Sequence, residues 1–172
     1  MKKVILVRYG EIILKGLNRP VFEDKLVKNI RRVLFGLGKV EIVKSQARIF
    51  IEPEEDGYDF DTAVSRIINV FGIVSVSIVY RIESNIDEIK KHCLILAKEK
   101  AGQFPNVRED SRGAVSFKVE AKRGDKRFPM KSPEICAEVG AYILSNLPVL
   151  KVDVNNPDFI IFIEVRENTF IY

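Results

Sequence analysis

The chain has 172 residues and 47% hydrophobic side chains, enough for one large core or two small ones. No apolar run approaches the roughly 20 residues of a membrane span, and Met1-Lys2-Lys3 leads straight into a strand-like run rather than a signal peptide, so a soluble cytoplasmic protein is expected, with no membrane partner. Two cysteines without a C-x-x-C, and one histidine, exclude a disulfide framework or a zinc site built from this chain alone. The net charge of +4 conceals a segregation: residues 1 to 35 carry nine basic and three acidic side chains, residues 118 to 131 six and two, and residues 52 to 62 six acidic and no basic ones. Two basic blocks around an acidic one focus potential on a polyanion better than an even scatter would, although solvated helix and loop faces are by themselves the commoner reason for such runs.

In chain order, residues 3 to 8 are short, apolar and β-branched, as in a buried strand. A helix should start near Asn18, a good N-cap, with Pro20 in its first turn and Phe22, Leu26, Ile30 and Val33 as its apolar stripe up to Gly36 and Gly38. Residues 39 to 44 and 47 to 52 flank the turn-like Ser45-Gln46 as a hairpin. Ala63, Ile67, Ile68 and Val70 suggest a second helix, stopped by Gly72 before a strand from Ile73 to Ile82. The order strand, helix, strand, strand, helix, strand is that of the split βαβ, ferredoxin-like arrangement, with both helices on one face of an antiparallel sheet.

Ser84-Asn85 reads as a boundary, dividing the chain into 1–83 and 84–172, and caps a helix over 86 to 101. On that helix Cys93 continues the apolar series Ile86, Ile89, Leu96 and reads as a buried hydrophobe, with His92 pointing about 100° away. Val115, Phe117, Val119 and Ala121 alternate with Ser116, Lys118, Glu120 and Lys122 as a half-buried strand with a partly basic outer row. Ser132-Pro133-Glu134 predicts a helix with Ser132 as N-cap, its buried face formed by Ile135, Val139, Tyr142 and Ile143. Val152 and Val154, Phe159 to Val165 and Thr169 to Tyr172 complete an α+β chain as strands, the last two joined by a tight turn at 166 to 168.

Phosphate binding needs cations, free backbone N–H groups, or both. Lys122, Arg123, Lys126, Arg127 and Lys131 lie just ahead of the helix that starts at Ser132, whose first turn could receive an oxyanion. Phe128 among them reads as a core plug sooner than as a base-stacking platform. In the first block Lys25, Lys28 and Arg32 fall at i, i+3 and i+7 on one helical face, while Lys15, Asn18 and Arg19 sit in the strand-to-helix loop. These twelve residues, Ser132 included, are the candidate RNA contacts. No Ser/His/Asp set, Walker loop or metal cluster is present, so no catalytic or metal-ligating residue is assigned.

Residues 9 to 23, Tyr-Gly-Glu-Ile-Ile-Leu-Lys-Gly-Leu-Asn-Arg-Pro-Val-Phe-Glu, resemble the start of the tRNA 4-thiouridine synthetases, the tRNA sulfurtransferases also linked to thiamine thiazole synthesis. Residues 122 to 143, with Val152 to Asp158 and Ile163 to Arg166, resemble the THUMP RNA-binding domain of the same family. The resemblance implies a ferredoxin-like domain followed by an α/β THUMP domain, which together hold tRNA and grip its 3′ CCA end while a later domain reaches uridine 8. In the family that later domain is an ATP pyrophosphatase with a Ser-Gly-Gly-x-Asp-Ser phosphate loop and a sulfur-handling cysteine. This sequence has no such loop, and neither Cys93 nor Cys136 matches a position with that role. The expectation is therefore a chain without cofactor and without catalysis of its own. ATP and a persulfide donor would serve a catalytic domain or subunit elsewhere, and a homodimer is compatible with this reading. Two alternatives stay open: a stand-alone THUMP adaptor for another tRNA-modifying enzyme, and a regulatory module that binds an anionic metabolite or mediates oligomerisation.

Overall fold

The computed structural model describes residues 2–10, 18–45, 47–104 and 114–172, and these residues form eight strands and four helices. They fall into two units, one of residues 3–79 and one of residues 80–172 joined by Lys2.

The first unit holds β1 (Lys2–Tyr9), α1 (Arg19–Val33), β2 (Val40–Ser45), β3 (Arg48–Pro53), α2 (Phe60–Ile67) and the start of β4 (Ile73–Glu83), with strand order β2-β3-β1-β4. β3 pairs antiparallel with both β1 and β2. One core forms where Leu26 and Ile30 of α1 and Ala63 and Ile67 of α2 meet Ile5, Val7, Ile49 and Ile51 of the strands, so both helices lie on one face, as the split βαβ order requires. Each of the buried Leu, Ile and Val side chains contributes about 1.5–3 kcal/mol.

Local details depart from the pattern for identifiable reasons. Asn18 is the N-cap residue of α1, but its side chain makes no cap hydrogen bond. Its φ and ψ of −87° and −2° are helical, and Pro20, at the position where the cap acceptor usually finds an N–H, has none. α2 begins earlier than its apolar pattern suggested, because the Asp59 carboxylate accepts the Thr62 N–H at 3.0 Å. The hairpin turn sits one residue later than expected: Ser45 still pairs with Arg48, and Ala47 has φ 63°. At Gly72 φ is 93°, and an added Cβ would lie 2.9 Å from Phe22 Cζ, so only glycine fits between α2 and β4.

The second unit holds the end of β4, α3 (Ile86–Ala101), β5 (Val115–Arg123), α4 (Ser132–Asn146), β6 (Leu150–Val152), β7 (Phe159–Val165) and β8 (Asn168–Ile171), in strand order β4-β8-β7-β5-β6. β5 runs parallel to β6 and β7, whereas β8 runs antiparallel to β7 and to residues 80–83 of β4. Val154 lies beyond β6, where the Asp153 carboxylate instead accepts the N–H groups of Asn155 and Asn156 at 2.9 and 3.0 Å. Ile89, Cys93 and Leu96 of α3 and Ile135, Val139 and Ile143 of α4 pack on Val115, Phe117, Ile161 and Ile163. Ser116, on the polar row of β5, is buried rather than exposed, because Asp158 accepts both its N–H and its hydroxyl at 2.7 Å. No helix among the described residues is long and apolar enough to cross a membrane.

Candidate nucleic-acid interface

The basic face of α1 follows from its amphipathic spacing: with Leu26 and Ile30 buried, Lys25, Lys28 and Arg32 are forced outward, and all three are exposed. None of them makes an ion pair among the described residues, and the same holds for the exposed Arg31. Arg19 differs. Its guanidinium donates to Glu23 at 2.8 Å, one turn on, and the Tyr9 hydroxyl donates to the same oxygen at 2.6 Å. Burial, reinforced by Glu23, pushes the Tyr9 hydroxyl up to about 12. Burial opposes ionisation of Glu23, but hydrogen bonds from Tyr9 and Arg19 outweigh it and hold the carboxyl below its ordinary range. Glu23 thus bridges α1 and β1, and Arg19 braces that bridge as much as it serves as a surface cation. Asn18 is exposed beside it, and Lys15 lies outside the described residues.

The second block occupies the connection from β5 to α4. Lys122, Lys126 and Lys131 are exposed and make no ion pair among the described residues. The Arg123 guanidinium donates, at a long 3.4 Å, to the Phe128 carbonyl. Phe128 itself is 7% exposed and belongs to the core, which removes it as a stacking platform. Arg127 is held face to face by Asp125, with Nε 3.0 Å from Oδ1 and a terminal nitrogen 2.7 Å from Oδ2. That pairing lowers the Asp125 carboxyl to about 2, while 83% of the Arg127 side chain still faces solvent.

Ser132 is not the N-cap; it is the first residue of α4, and Lys131 is the cap residue. The Ser132 hydroxyl oxygen instead accepts the Arg123 N–H at 3.0 Å, tying the end of β5 to the start of the helix. Glu134 turns back so that its carboxylate accepts the Lys131 N–H at 2.6 Å. Since Pro133 has no N–H and Glu134 brings a negative charge, this helix end is a weaker anion site than its sequence promised.

The two basic blocks therefore belong to different units, one along a helix face and one on a strand-to-helix connection. Sequence reasoning passed over Arg31, and over Lys39 just past α1, both exposed. Arg31 had a signal in its place beside Arg32 on the basic helix, whereas Lys39 stands alone after six uncharged residues and had none. Burial pushes the Cys93 thiol up to about 12, and burial also raises Cys136, so both are shifted away from the thiolate form. His92 Nε2 lies 3.4 Å from Glu88, and among the described residues no group of His, Cys, Asp and Glu is placed to hold a metal.

A ferredoxin-like unit followed by a mixed α/β unit with exposed basic side chains matches two family models, that of the ThiI ferredoxin-like domain over residues 4–77 and that of the THUMP domain over residues 83–172. The chain belongs to the THUMP domain family, in its combination with the ThiI ferredoxin-like domain. A probable tRNA sulfurtransferase of Acetivibrio thermocellus is 58% identical over all 172 residues, which correspond to 42% of that protein. The chain thus spans about two fifths of the length of the curated relatives it matches. Among solved structures, a 4-thiouridine synthetase in complex with RNA and ATP aligns over 100% of this chain and 41% of its own, with 35% identity and a TM-score of 0.82. PH1313 from Pyrococcus horikoshii aligns over 99% of this chain and 53% of its own, with 34% identity and the same TM-score.

Proposed function

We propose that these residues form the tRNA-holding region of a tRNA 4-thiouridine synthetase, acting in the cytoplasm. In this reading the chain captures tRNA and its 3′ CCA end so that an ATP-dependent catalytic domain outside these residues can thiolate uridine 8. The observation that carries it is the alignment of the whole of this chain to two fifths of a synthetase determined with RNA bound, joined to a helix face of cations without ion pairs among the described residues. Lys25, Lys28 and Arg32, spaced along one side of α1, suit successive backbone phosphates. Lys122, Lys126, Arg127 and Lys131, gathered on one short connection, suit the compact terminus of a single strand. ATP and a persulfide donor are assigned to the catalytic domain, since the two thiols here are shifted away from the reactive thiolate form.

The test is tRNA affinity as a function of salt, with intact and CCA-trimmed tRNA. If about four of these seven cations contact phosphate, the log-log slope lies between about −3 and −4, or roughly a 10²-fold loss between 50 and 200 mM salt. A flat response would refute RNA binding. Equal affinity for the two tRNAs would refute capture of the CCA end alone.

A further inference from the structure

The cationic line on α1 does not stop at its last basic residue. Continuing the spacing of Lys25, Lys28 and Arg32 by three residues reaches Phe35, which is 86% exposed, the highest value for a large apolar side chain among the described residues. The helical turn carries through to it, since the Phe35 N–H donates to the Arg32 carbonyl at 3.4 Å and the adjacent Leu34 N–H to the Ile30 carbonyl at 3.0 Å. The backbone there is anchored. Arg66 of α2 donates to the carbonyls of Val33 and Phe35 at 3.1 and 3.3 Å, and Leu34 is buried in the core. The Phe35 ring is therefore presented by a fixed backbone with almost nothing of the protein against it.

Beside the ring lies an open hollow of about 460 Å³, whose lining includes Arg31, Phe35, Lys39, Glu54 and Glu55. Gly36, with φ 85°, turns the chain within the same lining. A phosphate would be repelled by the two carboxylates and drawn to Arg31, Arg32 and Lys39. A base could lay its flat π-face over the Phe35 ring, with Glu54 and Glu55 in the same lining as acceptors for an exocyclic amino group. Aromatic rings interleaved with unpaired cations are the physical requirement of a single-strand binding surface. A protein partner fits less well, because lysine is depleted from interface cores and a second copy would set the cationic stripe against itself.

We propose that Phe35 is a stacking platform for an unpaired nucleobase of the bound RNA, with Arg31, Arg32 and Lys39 holding the adjoining phosphates. This rests on the RNA-binding reading above and adds a contact for single-stranded RNA to the ferredoxin-like unit. The experiment compares a labelled single-stranded RNA of about 12 nucleotides with a blunt RNA duplex, using the full 172-residue chain and its variants. Phe35→Ala should weaken the single strand at least about tenfold, change the duplex less than twofold and leave the salt slope unaltered, because the lost contact is uncharged. The chain contains no tryptophan, so Phe35→Trp introduces a unique fluorophore, which should retain affinity and be quenched by the single strand.

Unchanged single-strand affinity in Phe35→Ala, an equal loss for strand and duplex, or an unquenched Phe35→Trp at saturating RNA overturns the proposal. Loss of self-association in sedimentation, with RNA affinity intact, also overturns it and assigns the ring to a contact between copies. If the unaltered chain binds tRNA normally while these variants show no effect, only the Phe35 site fails. If the unaltered chain binds no RNA, the underlying reading fails with it.

Discussion

The start of α1 to Arg32 and the connection into α4 present similar formal charge, yet the structure treats that charge differently. On α1 four exposed cations, Lys25, Lys28, Arg31 and Arg32, make no ion pair among the described residues, while the anions of that helix are engaged elsewhere: Glu23 by Arg19 and Tyr9, Asp24 by Lys44. Ahead of α4 the arginine best suited to grip a phosphate is already gripped by Asp125, and the helix end is shared between a serine serving the strand and a glutamate serving the cap. Similar sums of charge thus give a continuous electrostatic track in one unit and a partly neutralised, pre-shaped corner in the other. Formal charge measures the attraction available; the partners of each cation decide whether that attraction is general or directional.

The contrast can be broken most forcefully by reversing the track. Replacing Lys25, Lys28 and Arg32 together by Glu should reduce tRNA affinity about 10³-fold at 100 mM salt and flatten the salt slope by roughly three units, read by filter binding. If the same replacements at Lys122, Lys126 and Lys131 weaken trimmed and intact tRNA as severely, the division of roles is wrong.

A second comparison uses backbone strain in place of charge. Gly72→Ala should destabilise the protein by about 1–3 kcal/mol, since a left-handed backbone and a 2.9 Å approach to Phe22 both exclude a Cβ. Gly140→Ala should do the opposite, adding about 0.5–1 kcal/mol, because it sits inside α4 with nothing within 4 Å of an added Cβ. Denaturant unfolding measures both, and tRNA affinity should stay within twofold in each.

Arg127→Ala should weaken intact tRNA about fivefold and trimmed tRNA little, whereas Asp125→Asn, by releasing the guanidinium, should strengthen intact tRNA a few-fold. Two losses in place of opposite signs would make the pair a structural brace and not a binding element.

The smallest effect is in pH. The Asp125 carboxyl, near 2 in the folded chain through its hydrogen bonds with Arg127, lies below its unfolded value of about 3.9. Its contribution to stability is therefore complete above pH 4 and disappears as pH falls toward 2. Carbon-13 NMR should find Asp125 ionised at pH 3 and, in Arg127→Ala, titrating in the ordinary carboxylate range.

Much of this was legible where local chemistry decides it. α3 has the bounds read from sequence because Asn85 accepts the Asp87 N–H at 2.8 Å at one end and Gly102 closes the other. β7 and the helix-on-sheet order of the first unit are likewise local in origin. The parallel pairing of β5 with β6 and β7 was not legible, because the partners lie beyond α4 and nothing in a strand's own pattern names its neighbour. Ser132 shows the same limit on a smaller scale. Its hydroxyl had two N–H groups to choose from, and the one across the connection, on Arg123, became its partner. The candidate cations could be found by spacing on α1, whereas the neutralisation of Arg127 depends on a turn geometry that brings Asp125 back onto it.

The division of β4 has a practical consequence for anyone separating the two units. Tyr80 to Glu83 pair with Ile171 to Asn168, and Tyr80 and Ile82 fill the core beneath α3. A piece beginning at Ser84 would leave β8 as a bare outer strand, its backbone donors and acceptors open to the next molecule. Proteolytic fragments cut there should precipitate or pair edge to edge, while those cut before Tyr80 keep the strand that shields the sheet.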